Sequence, residues 1–215
     1  MTTSDDGNRS TDSPPIRLLL ADDQALVRGA LAALLNLEPD LEVIIEVDRG
    51  DEVLAAVDAH RPDVALLDIE MPGLDGIAVA ELLATEAPEV KALIVTTFGR
   101  PGYLRRALDA GVAGFVVKDT PANELADAVR RVHAGLRVVD PALATESLLE
   151  GTNPLTRREQ EVLAHALTGT PVAEIANAVA LSEGTVRNYL STATTKTQAR
   201  SSTEAAVIAR DRGWL

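Results

Sequence analysis

Along the first two thirds of the chain, short apolar runs alternate with stretches whose apolar residues recur at helical intervals. The runs are Ile16–Ala21, Val43–Val47, Val64–Leu67, Ala92–Val95 and Gly114–Val117, each of a length that suits a buried strand. Between and after them lie Gln24–Leu35, Asp51–Ala59, Gly76–Thr85, Gly102–Ala110 and Pro121–Ala134. These repeat apolar positions with the period of a helix, as Leu26, Ala30 and Leu34 do in the first and Leu125, Val129 and Val132 in the last. Alternation of strand and helix implies right-handed crossovers and a parallel sheet. The expected fold of residues 16–134 is α/β: a flavodoxin-like, doubly wound, five-stranded parallel domain that binds ligands at the C-terminal ends of its strands.

Beyond this region the pattern changes. Residues 135–153 contain Asp140-Pro141, Gly151 and Asn153, followed by Pro154, and read as a linker with room for one short helix. From Pro154 to Leu215 only helical spacing remains. Thr156 and Glu159 form a capping box ahead of an apolar stripe, Val162, Leu163, Ala166 and Leu167, that ends at Gly169. A compact helix over Val172–Val179 and a turn through Ala180-Leu181 lead to Ser182, a good N-cap for a longer helix over Glu183–Lys196. That helix buries Val186, Leu190 and Ala193 and shows Arg187, Asn188, Ser191 and Thr194 on the opposite face. Ser201 and Glu204 open a last helix. Residues 154–215 are therefore expected to form a small all-α helix-turn-helix domain, although a solvated polar face on any small helical bundle gives the same spacing.

Composition narrows the function classes. At 215 residues, with 46% hydrophobic and 25% charged content, the chain has room for two domains. With no cysteine, disulfides and thiolate metal sites are excluded, and a reducing cytoplasmic location is the expectation. No apolar stretch is long enough to span a bilayer, and residues 1–15 are polar, so they are expected to form a disordered tail instead of a signal peptide. A net charge of −13 argues at first against nucleic acid, but residues 154–215 hold seven Lys and Arg against six Asp and Glu. The acidity belongs to the first domain, and the second is free to meet phosphates.

The chemistry-bearing residues stand at the ends of the predicted strands. Asp22-Asp23 follow the first, Asp68 the third, Thr96-Thr97 the fourth and Lys118 the fifth. A single strand-end Asp could simply cap the next loop. If the strands are parallel neighbours, however, three carboxylates converge on one edge, an arrangement that is costly unless a cation sits among them. Hard oxygen ligands suit a divalent ion such as Mg2+, and the adjacent lysine and threonine suit a phosphoryl group bound to it.

In these residues, and in DIEMPGLDG from Asp68 to Gly76, the chain resembles the receiver domain of bacterial two-component response regulators. The resemblance implies that Asp68 accepts a phosphoryl group from a sensor histidine kinase, with Lys118 and Thr96 contacting that group. Mg2+ would be held by Asp23, Asp68 and the Glu70 carbonyl, with Asp22 acting through water. It also implies a switch pair, Thr96 and Phe115, although Phe115 would serve equally well as a buried strand residue. Family members usually carry Lys-Pro after the last strand, with a cis bond; here the pair is Lys118-Asp119, where a cis bond costs several kcal/mol.

Leu155 to about Ala199 resembles the LuxR-type helix-turn-helix of the NarL/FixJ class, through LTRREQEVL, EIA, LSEGTVRNYL and Lys196, and the ending looks most like the DesR-like branch. Tyr189 stands where relatives usually have His, and Thr197 where they have Leu. The resemblance implies binding to double-stranded promoter DNA, with Arg187 and Lys196 on phosphates, Val186, Asn188 and Ser191 toward the groove, and Thr185 near a phosphate. A homodimer formed on phosphorylation would span two half-sites. No catalysis on an external substrate is implied. A phosphotransferase of the haloacid dehalogenase type would need Asp at position 70, where this chain has Glu, and a receiver that never takes phosphate would lack one or more of the five key residues.

Overall fold

The computed structural model describes residues 14–97, 99, 101–140, 143–145 and 153–215. Most of the expected N-terminal tail and part of the linker lie outside these residues. The first domain runs β1 (Ile16–Ala21), α1 (Ala25–Leu35), β2 (Leu41–Val47), α2 (Val53–His60), β3 (Val64–Leu67), α3 (Gly76–Glu86), β4 (Lys91–Thr96), α4 (Pro101–Asp109), β5 (Gly114–Val117), α5 (Ala122–His133) and β6 (Val138–Val139). All neighbouring strands pair in parallel, in the order β2-β1-β3-β4-β5-β6.

Alternate residues of the strands feed two cores, one on each face of the sheet. Leu18 and Leu20 of β1 pack with Leu35 of α1 and with Leu125, Val129 and Val132 of α5. Leu19 and Ala21 face the other way, into a cluster with Val53 of α2, Ile77 and Leu83 of α3, and Leu104 and Ala107 of α4. Because both faces are covered, β3 is buried along its whole length, and for that reason its sequence reads as a continuous apolar run.

The sheet has six strands where five were expected. Leu136 N–H donates to the Arg131 carbonyl at the end of α5, and Val138 N–H donates to the Ala113 carbonyl, which sets Val138–Val139 beside β5. Two residues carry no usable periodicity, and residues 135–153 read as linker for that reason. Arg130 of α5 reaches across to the α1–β2 loop, donating from Nε to Asp40 Oδ2 and from Nη2 to Asp40 Oδ1, each at 2.8 Å, and also to Glu38. Asp40 is held below the usual carboxylate range first by that hydrogen bond from Arg130.

The second domain contains α6 (Arg157–Ala166), α7 (Val172–Ala178), α8 (Glu183–Thr197) and α9 (Ser202–Asp211). Its core gathers Val162, Leu163, Ile175, Val186, Leu190, Ala193, Ala205, Ala209 and Trp214. Both expected capping residues at α6 are in place: Glu159 N–H donates to Thr156 Oγ1, and Thr156 N–H donates to Glu159 Oε2. Among the described residues, no helix is long and apolar enough to cross a membrane.

Candidate metal centre and nucleic-acid face

The strand order brings the ends of β1, β3, β4 and β5 side by side, and their polar residues converge. One carboxylate oxygen from each of Asp22, Asp23 and Asp68 lies within 4.8 Å of the others. Lys118 Nζ sits between two of the three residues, 2.7 Å from Asp22 Oδ2 and 2.9 Å from Asp68 Oδ2. Asp68 is 3% exposed and Asp22 1%, whereas Asp23 is exposed and opens the cluster to solvent. Asp68 Oδ1 accepts the Ile69 N–H at 2.8 Å, which fixes the rotamer, and Asp22 Oδ1 accepts the Gln24 N–H at 2.9 Å.

The charges do not balance. Three carboxylates face one ammonium, and Asp22 Oδ2 has its ionic contact with Lys118 but no hydrogen bond. Burial, with the Asp22 charge adding to it, raises the Asp68 carboxyl above its ordinary value against the opposing pull of Lys118. Burial works to lower Lys118, and the pull of the Asp22 and Asp68 carboxylates outweighs it, so the ammonium is held above its ordinary value. A hard-oxygen donor set with a surplus of negative charge and a buried oxygen lacking a hydrogen bond fits a divalent cation.

Thr96 ends β4 and is 3% exposed, while Thr97 is exposed in the bend that follows. The Thr96 carbonyl accepts the Lys118 N–H at 2.7 Å, so the two strand ends are locked in register. The Lys118–Asp119 bond is trans, since the described residues contain no cis peptide. Glu70 is exposed on the loop after Asp68. Phe115 is 0% exposed and packs in the cluster that holds Tyr103, Leu104 and Ala107.

Spacing did not reveal Arg28. It projects from α1 to donate to the Asp22 carbonyl, and its Nε lies 3.5 Å from Glu46 Oε2 on β2. The main chain of the acidic pair is thus braced from the helix that follows it, but an arginine on an amphipathic helix gives no sequence sign of this role.

On α8, Arg187, Asn188 and Ser191 are exposed on one side, and the Thr185 hydroxyl sits 2.8 Å from that of the N-cap Ser182. Val186 corrects the sequence reading: it is 0% exposed, in the bundle core with Leu190 and Ala193, because residues four and seven apart share one helix face. It does not face a groove. Lys196 donates to the Glu159 carboxylate at 2.7 Å and so joins the end of α8 to the start of α6. Thr197, in place of Leu, is buried with its hydroxyl donating to the Ala193 carbonyl at 2.9 Å.

Comparison with known proteins agrees with both halves of this geometry. Residues 18–130 match the family described as response regulator receiver domain, and residues 153–209 match bacterial regulatory proteins of the luxR family. The chain is 46% identical over 200 residues to the uncharacterized transcriptional regulatory protein YvfU of Bacillus subtilis, covering 93% of this chain and 100% of that protein. It is 43% identical over 200 residues to the transcriptional regulatory protein DesR of the same organism, covering 93% and 99%. Among solved structures, the response regulator ChrA of a heme-sensing two-component system superposes with a TM-score of 0.57 at 30% identity, covering 94% of this chain and 100% of that one.

Proposed function

The chain belongs to the response regulators that join a receiver domain to a LuxR-type DNA-binding domain, and on that premise we propose that Asp68 is its phosphoacceptor. The observation that carries this reading is the placement of Asp68: buried at a strand end, 2.9 Å from Lys118, within a cluster that suits a divalent cation. An Asp68 carboxylate oxygen attacks the phosphorus of a histidine kinase's phosphohistidine. The P–O bond forms as the P–N bond breaks, and the departing imidazole takes up a proton. Mg2+, when bound, would supply positive charge against the carboxylate and phosphoryl oxygens. Asp23, Asp68 and the Glu70 carbonyl would hold it, with Asp22 acting through water. Lys118 moves its contact from the carboxylate toward a phosphoryl oxygen, and Thr96 donates its hydroxyl. Apart from the phosphodonor, no substrate is turned over.

Phosphorylation promotes a homodimer, and the paired output domains bind promoter DNA and regulate transcription in the cytoplasm. Arg187 contacts a phosphate, Asn188 and Ser191 face the groove, and Thr185 lies by a phosphate at the helix start. The deciding experiment is intact-protein mass spectrometry after treatment with a small phosphodonor and Mg2+. The expected result is one added phosphoryl group in the wild type and none in Asp68→Asn; equal labelling of the two would remove Asp68 from the role.

A further inference from the structure

β2 carries none of the chemistry-bearing residues, yet its C-terminal end is tied to both sides of the candidate metal centre. The Asp22 N–H donates to the Val47 carbonyl at 3.1 Å, so the acidic pair after β1 hangs from the last residue of β2. Past Asp48 and Arg49, the buried Gly50 donates its N–H to the Pro72 carbonyl at 3.0 Å and so ties down the loop after Asp68. One short turn thus holds two segments that are distant in sequence.

The tied loop presents the carbonyl of Glu70. Ile69 lends its own carbonyl to two donors, the Met71 N–H at 3.1 Å and the Gly76 N–H at 3.0 Å, which closes the loop on itself with Glu70 at the centre of a three-residue turn. Among the described residues the Glu70 carbonyl accepts no hydrogen bond. Where the loop meets the turn after β2, there is no room for a side chain. A Cβ built on Gly50 would run into the Leu74 carbonyl, and one on Gly73, whose φ is +82°, into the Asp51 carboxylate. Arg49 holds that carboxylate by two hydrogen bonds, of 3.0 and 2.9 Å, while Met71 and Leu74 pack against the core on the same face of the sheet.

We propose that the turn after β2 is the gauge of the metal centre: Gly50, a positioning residue that touches no ion, sets how far the Glu70 carbonyl stands from Asp22-Asp23, at a separation that favours Mg2+ over the larger Ca2+. Mg2+ takes oxygen ligands at about 2.0–2.1 Å in near-octahedral geometry, whereas Ca2+ accepts about 2.3–2.6 Å and irregular arrangements. Moving one ligand outward by a few tenths of an ångström therefore penalises the smaller ion first. A spacing fixed by main-chain hydrogen bonds to one strand end is stiff enough to make that choice. The inference rests on the Mg2+ reading above and names what governs its selectivity.

The test is calorimetric titration of the full-length protein with Mg2+ and, separately, with Ca2+, without any phosphodonor. Gly50→Ala drives a methyl group against the Leu74 carbonyl and pushes the loop off the turn. Asp51→Ala instead removes the carboxylate that backs Gly73, and its exposed pair with Arg49 costs the fold little. In Gly50→Ala the Kd for Mg2+ should rise about tenfold, the scale on which groups that orient ligands act, while that for Ca2+ stays within about twofold. Asp51→Ala should shift the ratio of the two constants in the same direction, by about threefold, and decides the matter alone if circular dichroism shows Gly50→Ala unfolded. Equal losses for both ions, or no change in either, would overturn the gauge. Wild type that binds Mg2+ no more tightly than Asp23→Asn would instead overturn the metal reading beneath it.

Discussion

Lys118 Nζ lies 2.9 Å from Asp68 Oδ2, with both side chains nearly excluded from solvent. Replacing Lys118 by Met leaves the carboxylates buried without their ammonium and should destabilise the receiver by about 1–3 kcal/mol at neutral pH. The sign of the pH dependence follows from Asp68, whose carboxyl burial already raises and which rises further without Lys118. An acid with a raised folded-state pKa costs stability when ionised, and that cost fades as pH falls toward the folded value. Lys118→Met should therefore gain on the wild type as pH is lowered from 7. In the wild type, Lys118 itself contributes stability that is full below its ordinary value of 10.5 and lost as pH rises through the higher folded value. Denaturant titrations across pH read both effects.

Asp23→Asn should separate stability from binding. Removing one charge from an overcrowded cluster should leave the metal-free melting temperature unchanged or raised, and should abolish the rise expected of the wild type on adding Mg2+. For a ligand at a hundred times its Kd that rise corresponds to about 2.7 kcal/mol. Thermal denaturation with and without Mg2+ checks it; an undiminished metal response would take Asp23 out of the site.

Arg28→Ala should weaken metal binding by about tenfold, the scale on which groups that orient ligands act. The cause is the lost brace on the Asp22 carbonyl. Calorimetric titration of Mg2+ into the receiver measures it directly. Phosphorylation by a small phosphodonor should be slowed at low Mg2+ and recover at saturation, whereas damage to the acceptor itself would persist.

Arg187 and Lys196 should part company. The Arg187 pair with Glu183 is exposed on both sides and yields to a phosphate at little cost, so Arg187→Ala should reduce the salt slope of DNA binding by about one. Lys196→Ala should instead weaken the output domain, because Glu159, 5% exposed at its side chain, loses its partner. Burial pushes Glu159 up, and the hydrogen bonds from Lys196 and Thr156 outweigh it, leaving it below its ordinary value of 4.5. That stability is full above pH 4.5 and lost as pH falls through the folded value, and thermal melts of the Lys196 variant should show less of this acid loss.

The strands and their polar ends were legible because burial on both faces writes β3 as an uninterrupted apolar run and because each chemical residue comes directly after such a run. Local spacing also located the starts of the helices among the described residues to within about two residues. It could not find β6, whose two valines depend on an edge supplied by β5. Nor could it pair Lys196 with Glu159 or Arg106 with Leu215, since those contacts join elements distant in sequence. Val186 was a different kind of miss: the stripe it shares with Leu190 and Ala193 already assigned it to the core.

The short strand Val138–Val139 also has a bearing on self-association. It covers the outer edge of Gly114–Val117, the strand that ends at the site lysine. A receiver cut after His133 would bare that edge, offering unpaired N–H and C=O groups to any extended segment, and would invite edge-to-edge aggregation beside the acidic cluster. A receiver cut beyond Asp140 keeps the edge paired, and what covers it is then so short a strand that little template is left for another chain to extend.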